Sequence, residues 1–239
     1  MTNINAADMD HRAINEAIRG TDSCRVTGCL GQRFIASGMK DKRIEITGTP
    51  GNALGAYLAG ADITVAGNVQ DAVGDTMNGG SITVSGSAGD ALGYAMRGGR
   101  IFIRGSAGYR AGIHMKAYGD QQPVIIIGGR AGSFLGEYQA GGTIAVLGLH
   151  EDGHPLLGNF PCTGMHGGKL YLRGDVGNVA FPPNVTARPA TQEDMAELLP
   201  HLQAWCDAFG VSMDRITDKP FTVVVPDSAN PYKQMYVAN

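Results

Sequence analysis

Residues 82–99 read ITVSGSAGDALGYAMRGG. Ile82 and Val84 flank one polar residue, Gly86, Gly89 and Gly93 follow, and a Gly98–Gly99 pair closes the stretch. Upstream, ITVAGNVQDAVGDTMNGG from Ile63 and IEITGTPGNALGAYLAG from Ile44 have the same plan. Downstream it recurs as IFIRGSAGYRAGIHMK from Ile101, IIIGGRAGSFLGEYQAGG from Ile125, IAVLGL from Ile144 and LYLRGDVG from Leu170. The glycine ending each apolar pair falls at Gly48, Gly67, Gly86, Gly105, Gly129, Gly148 and Gly174. The steps are 19 residues, except for 24 before Gly129 and 26 before Gly174. The five and seven extra residues lie in HMKAYGDQQP and LHEDGHPLLGNFPCT.

Apolar residues at period two indicate a short strand with one buried face. A 19-residue unit is too short for a strand plus a crossover helix, but it suits one coil of a parallel solenoid. The expected fold is therefore all-β: a right-handed parallel β-helix of about seven 19-residue coils. A degenerate eighth unit sits at RVTGCLG, around Gly28 and Gly31. The residues between the apolar pairs (Thr64, Thr83, Phe102, Tyr171) face the other way. Gly48, Gly51, Gly55, Gly67, Gly74, Gly86, Gly89, Gly93, Gly105, Gly108, Gly112, Gly129, Gly132 and Gly136 are structural glycines, which supply bends and close backbone approach. Solenoid ends expose strand edges that need covers, so short helical caps are expected at both ends. Residues 1–24 form an N-terminal cap with a helix over 8–19, and residues 25–178 form the coils. Residues 179–239 hold a proline-rich linker, a helix capped by Thr191 and Asp194 that Pro200 kinks or splits, and a lone strand FTVVVP. That segment caps the rod or clasps a partner.

Composition excludes several classes. Glycine supplies 36 of 239 residues without falling every third position, so the chain is not collagen. The net charge of −3 gives no electrostatic footprint for nucleic acid. No apolar run is long enough to span a membrane. The start MTNINAADMDHR lacks a signal-peptide pattern, and four scattered cysteines without a C-x-x-C pair point to a reduced, cytoplasmic setting.

The coils resemble the C-terminal domain of the glutamate synthase large subunit, known by its G-x-x-G-x-x-x-G motif. Here the motif is Gly48/Gly51/Gly55, Gly86/Gly89/Gly93, Gly105/Gly108/Gly112 and Gly129/Gly132/Gly136. GNALGAYL, YRAGIHMK and GSFLGEYQAGGTIAVLGL are especially similar to stand-alone versions of it. The resemblance covers roughly residues 25–178. It implies a β-helix with no catalytic residue and no cofactor in this chain, serving an oxidoreductase complex. Its partners would be a glutamine amidotransferase-type subunit and an FMN/iron–sulfur synthase-type subunit, so that ammonia reaches 2-oxoglutarate. N-methylglutamate synthase fits equally well. The scaffold subunit of formylmethanofuran dehydrogenase and formyltransferase/hydrolase complexes shares the coil motif and stands as the alternative. The resemblance leaves a homo-oligomer open.

Four constellations invite chemistry. His150-Glu151-Asp152-Gly153-His154 matches H-E-x-x-H, but zinc proteases carry that motif on a helix, and here it follows a strand, contains Gly153 and precedes Pro155. His150, His154, Cys162 and His166 are metal-ligand types within one insertion, against the plain alternative of a solvated loop. Asp71 and Asp90 are one coil apart and resemble a glycosidase pair; a corner Asp more usually closes its own turn. Arg97, Arg100, Arg104, Arg110 and Lys116 occur with no acidic residue between Asp90 and Asp120. They form either a solvated face or a docking face for an acidic partner, with Arg97 beside Lys116.

Overall fold

The computed structural model describes residues 1–150, 153–174 and 176–228. Nine strands stack in parallel and in chain order: β1 (Thr2–Asn5), β2 (Ser23–Leu30), β3 (Arg43–Thr49), β4 (Ala59–Ala66), β5 (Gly79–Val84), β6 (Arg100–Ile103), β7 (Val124–Ile127), β8 (Ala140–Val146) and β9 (Gly167–Arg173). The result is a β-solenoid of about eight turns. RVTGCLG supplies a true rung, with Cys24 and Val26 of β2 paired to Ile44 and Ile46 of β3.

Equivalent residues stack on one another. Ile44, Ile63, Ile82, Ile101, Ile125, Ile144 and Leu170 form one registered column, fully buried. The second column runs through Ile46, Val65, Val84, Ile103, Ile127, Val146 and Leu172. Each buried branched side chain contributes about 1.5–3 kcal/mol relative to exposure, so the two columns are a large part of what stabilises the rod, together with Leu54, Val73, Leu92 and Leu135 of the other wall. Among the described residues the opposite wall holds no continuous strand. It is joined by single bridges at Val69, Ala88, Ala107, Ala131 and Leu157.

The three glycines of each coil differ in purpose. A Cβ on Gly89 would press into the Asp71 side chain and the Gln70 backbone one coil back, so this position sets how closely coils approach. Gly93 has φ +65°, and a Cβ there would lie 2.5 Å from Ile125 Cδ1, inside the interior column. Bends are not left to glycine alone, which departs from the simple expectation. Ala53, Ala72, Ala91, Arg110, Phe134 and Phe160 lie two residues before the third motif position, with φ between +56° and +63°. Tyr57, Thr76, Ala95, His114 and Tyr138 lie two residues after it and are also left-handed. These backbones are held by hydrogen bonds to the next coil, as in Ala91 N–H to Tyr109 O at 2.8 Å and Ala95 N–H to Ile113 O at 2.9 Å.

The N-terminal end is closed by α1 (His11–Arg19), with Asp10 accepting from the Arg12 and Ala13 N–H groups. Its buried Asn15 completes the first turn. In later coils the third-position N–H donates to the coil before, as Gly55 does to Ile35 O. Ala36 has no such coil beneath it, and its N–H goes instead to Asn15 Oδ1 at 2.8 Å, while Asn15 Nδ2 donates to Phe34 O.

The C-terminal segment closes the far end with strands and lays its helix along the flank. β10 is Val185–Pro189 and β11 is Phe221–Pro226; β11 pairs antiparallel with β9 on one side and β10 on the other. Between them, α2 (Gln192–Phe209) remains one helix through Pro200, and α3 (Met213–Thr217) follows. Leu198, Leu202 and Trp205 of α2 form a second core with Phe102, Ile126, Ala145 and Tyr171 on the outer strand face. Trp205 Nε1 donates to Ile103 O. The equivalent outer residues on β3, β4 and β5 are Glu45, Thr64 and Thr83, so the helix sits where the outer column turns apolar.

The start of α2 is pinned by the expected capping box of Thr191 and Asp194. Asp194 is buried and accepts from Lys169, Arg188 and the Thr191 N–H. Arg188 first, then Thr191 and Lys169, hold its carboxyl far below the usual carboxylate range despite burial. A depressed carboxylate stabilises the fold above its unfolded pKa of about 3.9, and that contribution fades as pH falls toward the folded value. Lys169 is raised by Glu197 and Asp194 against desolvation, so its contribution is complete at neutral pH and is lost only in strong alkali. Asp194→Asn should therefore cost about 2–3 kcal/mol in urea unfolding at pH 7, a cost that begins to shrink only near pH 4 and keeps shrinking below pH 3.

Candidate functional site

The longer insertion leaves the coil after β8 and returns at the bridge residue Leu157. Glu151 and Asp152 of the H-E-x-x-H stretch lie outside the described residues. His150 and His154 line an open cleft of about 870 Å³ with Arg130, Leu156, Arg173 and Lys219. Arg173 is committed to structure: its guanidinium donates to Ile216 O, Leu147 O and Arg215 O, and it pairs with Asp218.

The metal candidates separate. Cys162 points into the main core with φ +60° and occupies the third motif position of its coil, its N–H donating to Leu135 O as Gly136 donates to Ala111 O. No further rung presses an isoleucine into that space, so a side chain fits where earlier coils require glycine. Burial pushes its thiol up to about 12. His166 Nδ1 lies 2.9 Å from Gly164 O. Among the described residues no three His, Cys, Asp or Glu side chains converge as a metal site.

Asp71 and Asp90 belong to a ladder. Asn52 Oδ1 accepts from Asp71 N–H at 3.3 Å, Asp71 Oδ1 from Asp90 N–H at 2.9 Å, and Asp90 Oδ1 from Tyr109 N–H at 2.8 Å. A parallel ladder runs through Asn68, Ser87 and Ser106 to Arg130 N–H. Both carboxylates thus close the corner one coil on.

The five cations are distributed around the coil. Arg97 and Lys116 do occupy the same position in successive coils, donating N–H groups to Met77 O and Met96 O. Arg100 opens β6 and lies over the Phe102 ring at 5.7 Å, on the α2 flank. His201 of α2 is lowered by burial and by Arg100. Arg104 is exposed just beyond β6. Arg110 sits on the opposite wall, 3.4 Å from Glu137 and 4.7 Å over the Phe134 ring.

The wall with the left-handed turns carries residues that sequence reasoning missed. Phe134 and Phe160 stack at 5.4 Å, and His114 and Tyr138 stack at 5.2 Å with ring planes 6° apart. Tyr94 meets His114 edge-on at 5.8 Å. The signal was present in register: Arg110, Phe134 and Phe160 share one turn position, His114 and Tyr138 another, once the 24- and 26-residue steps are aligned.

These features define a class: a glycine-turn parallel β-solenoid whose polar side chains close its own corners. The chain belongs to the GXGXG motif family, whose pattern matches residues 5–226. It is 44% identical over 248 residues to the uncharacterized protein MJ1350 of Methanocaldococcus jannaschii, spanning 98% of this chain and 95% of that one. It is also similar to a chain in the crystal structure of the formyltransferase/hydrolase complex FhcABCD from Methylorubrum extorquens with methylofuran. That match has a TM-score of 0.61 and 22% identity over 87% of each chain, a likeness of fold. Among the described residues no helix is long and apolar enough to cross a membrane.

All four cysteines are free and buried, and burial raises each thiol, Cys29 to about 11. Thiolate is the reactive form, so Ellman's reagent at pH 8 should leave Cys162 unlabelled in the folded chain and label it fully in denaturant. Rapid native labelling of Cys162 would contradict its place in the core.

Proposed function

We propose that this chain is a structural subunit of a multi-subunit enzyme complex, setting the distance and orientation of its catalytic partners. One observation carries the reading: Asp71 and Asp90, the carboxylate pair that could act in catalysis, are engaged in the rod's own corners. The complex we favour is of the formyltransferase/hydrolase type, with an amidohydrolase-type or molybdopterin-type partner. Its support is the fold likeness, which extends over nearly the whole chain.

A second reading, a glutamate-synthase-type complex, is supported by the repeated G-x-x-G-x-x-x-G pattern and by the stretches YRAGIHMK and GSFLGEYQAGGTIAVLGL. Its partners would be a glutamine amidotransferase-type subunit and an FMN/iron–sulfur synthase-type subunit. The test is to tag the full chain at its N-terminus in its own cell, purify it under native conditions and identify stoichiometric companions by mass spectrometry. Companions of the first kind support the favoured reading. A yellow-brown preparation containing flavoprotein and amidotransferase selects the second. A chain that elutes alone at every salt concentration contradicts both.

A further inference from the structure

The wall carrying the left-handed turns changes character along the rod. At one turn position the residues run Phe34, then Ala53, Ala72 and Ala91, then Arg110, Phe134 and Phe160, all with positive φ. At the other they run Tyr57, Thr76, Ala95 and then His114, Tyr138. Ala53, Ala72, Ala91 and Ala95 show that the turn tolerates a methyl group. The later coils place large side chains on backbone that disfavours them. Those side chains reach solvent: Phe160 is 62% exposed, Tyr94 39%, and Arg110 and His114 are also exposed.

The rings stack in pairs along the rod, so one face of each is occupied, Arg110 lies over the ring of Phe134, and the electropositive edges are left for a partner. Arg110, which also pairs with Glu137 at 3.4 Å, the exposed Lys116 two residues beyond His114, and the hydroxyls of Tyr94 and Tyr138 join them. Residues 91–119 contain no Asp or Glu. The other flank of these coils is already covered by α2. Exposed Tyr and Arg grouped on a rigid element are the usual makings of an interface centre.

We propose that this face docks an acidic surface of a heterologous partner subunit. The inference rests on the reading of the chain as a complex subunit and adds where the partner sits and what chemistry it presents. Carboxylates would meet Arg110, Lys116 and the ring edges of the stack.

The left-handed backbone offers an unusual test, because glycine removes the side chain and relaxes the turn together. Arg110→Gly, Tyr138→Gly and Phe160→Gly should melt no lower than the wild type. Each should weaken retention of the companion subunits by about tenfold or more, read as dissociation constant on the tagged full chain. Thr64→Glu, on the polar strand face, should leave retention unchanged. In the wild-type complex, a zero-length carbodiimide should join Lys116 to an Asp or Glu of the companion. The proposal is overturned, with the scaffold reading intact, if the glycine variants retain their companions at wild-type strength. It is equally overturned if Lys116 is joined only to carboxylates of a second copy of this chain. If the wild type retains no companion at all, the scaffold reading itself fails and the docking face falls with it.

Discussion

The rod depends on one contact repeated through its central coils: an isoleucine near the head of the strand reaches across the interior to a glycine on the opposite wall. Gly55 faces Ile63 and Ile82, Gly74 faces Ile101, Gly93 faces Ile125 and Gly112 faces Ile144. At these four positions no Cβ fits between the walls, whereas Ala36 carries a methyl at the equivalent position of the first coil. The third glycine of the motif therefore answers to interior space as much as to backbone conformation. Where the stack ends, the demand lapses, and Cys162 occupies the same position.

A coil this thin has little interior to hide a polar group. Corner side chains accept hydrogen bonds from the coil beyond, which turns Asn52, Asp71 and Asp90 into a ladder and satisfies N–H groups that no strand reaches. At the first coil the same requirement is met from outside, by Asn15 of α1. At the far end the open strand edge of β9 is covered by β11. What remains for function is the outer surface, divided into a polar strand face on the early coils, a helix-covered flank on the later ones, and the aromatic wall opposite.

Much of this is legible in the amino-acid sequence. The isoleucine columns, the parallel register and the extra rung at RVTGCLG follow from a period that side-chain alternation makes unambiguous. The capping box at Thr191 and Asp194 is equally plain. The flank taken by α2 is written in the change from Glu45, Thr64 and Thr83 to Phe102, Ile126 and Tyr171, but one strand at a time such a change does not say what covers it. The site reads less well. Proximity in sequence groups His150, His154, Cys162 and His166, whereas register sends Cys162 inward. The basic residues cluster along the chain while the coil carries them to different walls. The aromatic stacks are hidden because two insertions shift them out of the 19-residue frame.

The contact between Gly93 and Ile125 can be isolated by a double-mutant cycle on the full chain. Gly93→Ala alone should cost about 2–4 kcal/mol, from crowding and left-handed strain together. Ile125→Val removes the Cδ1 atom that the new methyl meets. In that background the cost of Gly93→Ala should fall by about 1 kcal/mol or more, since the strain is common to both arms and cancels. Costs that add to within about 0.3 kcal/mol would mean that the two walls do not touch there, and would contradict the account of why the glycine is required.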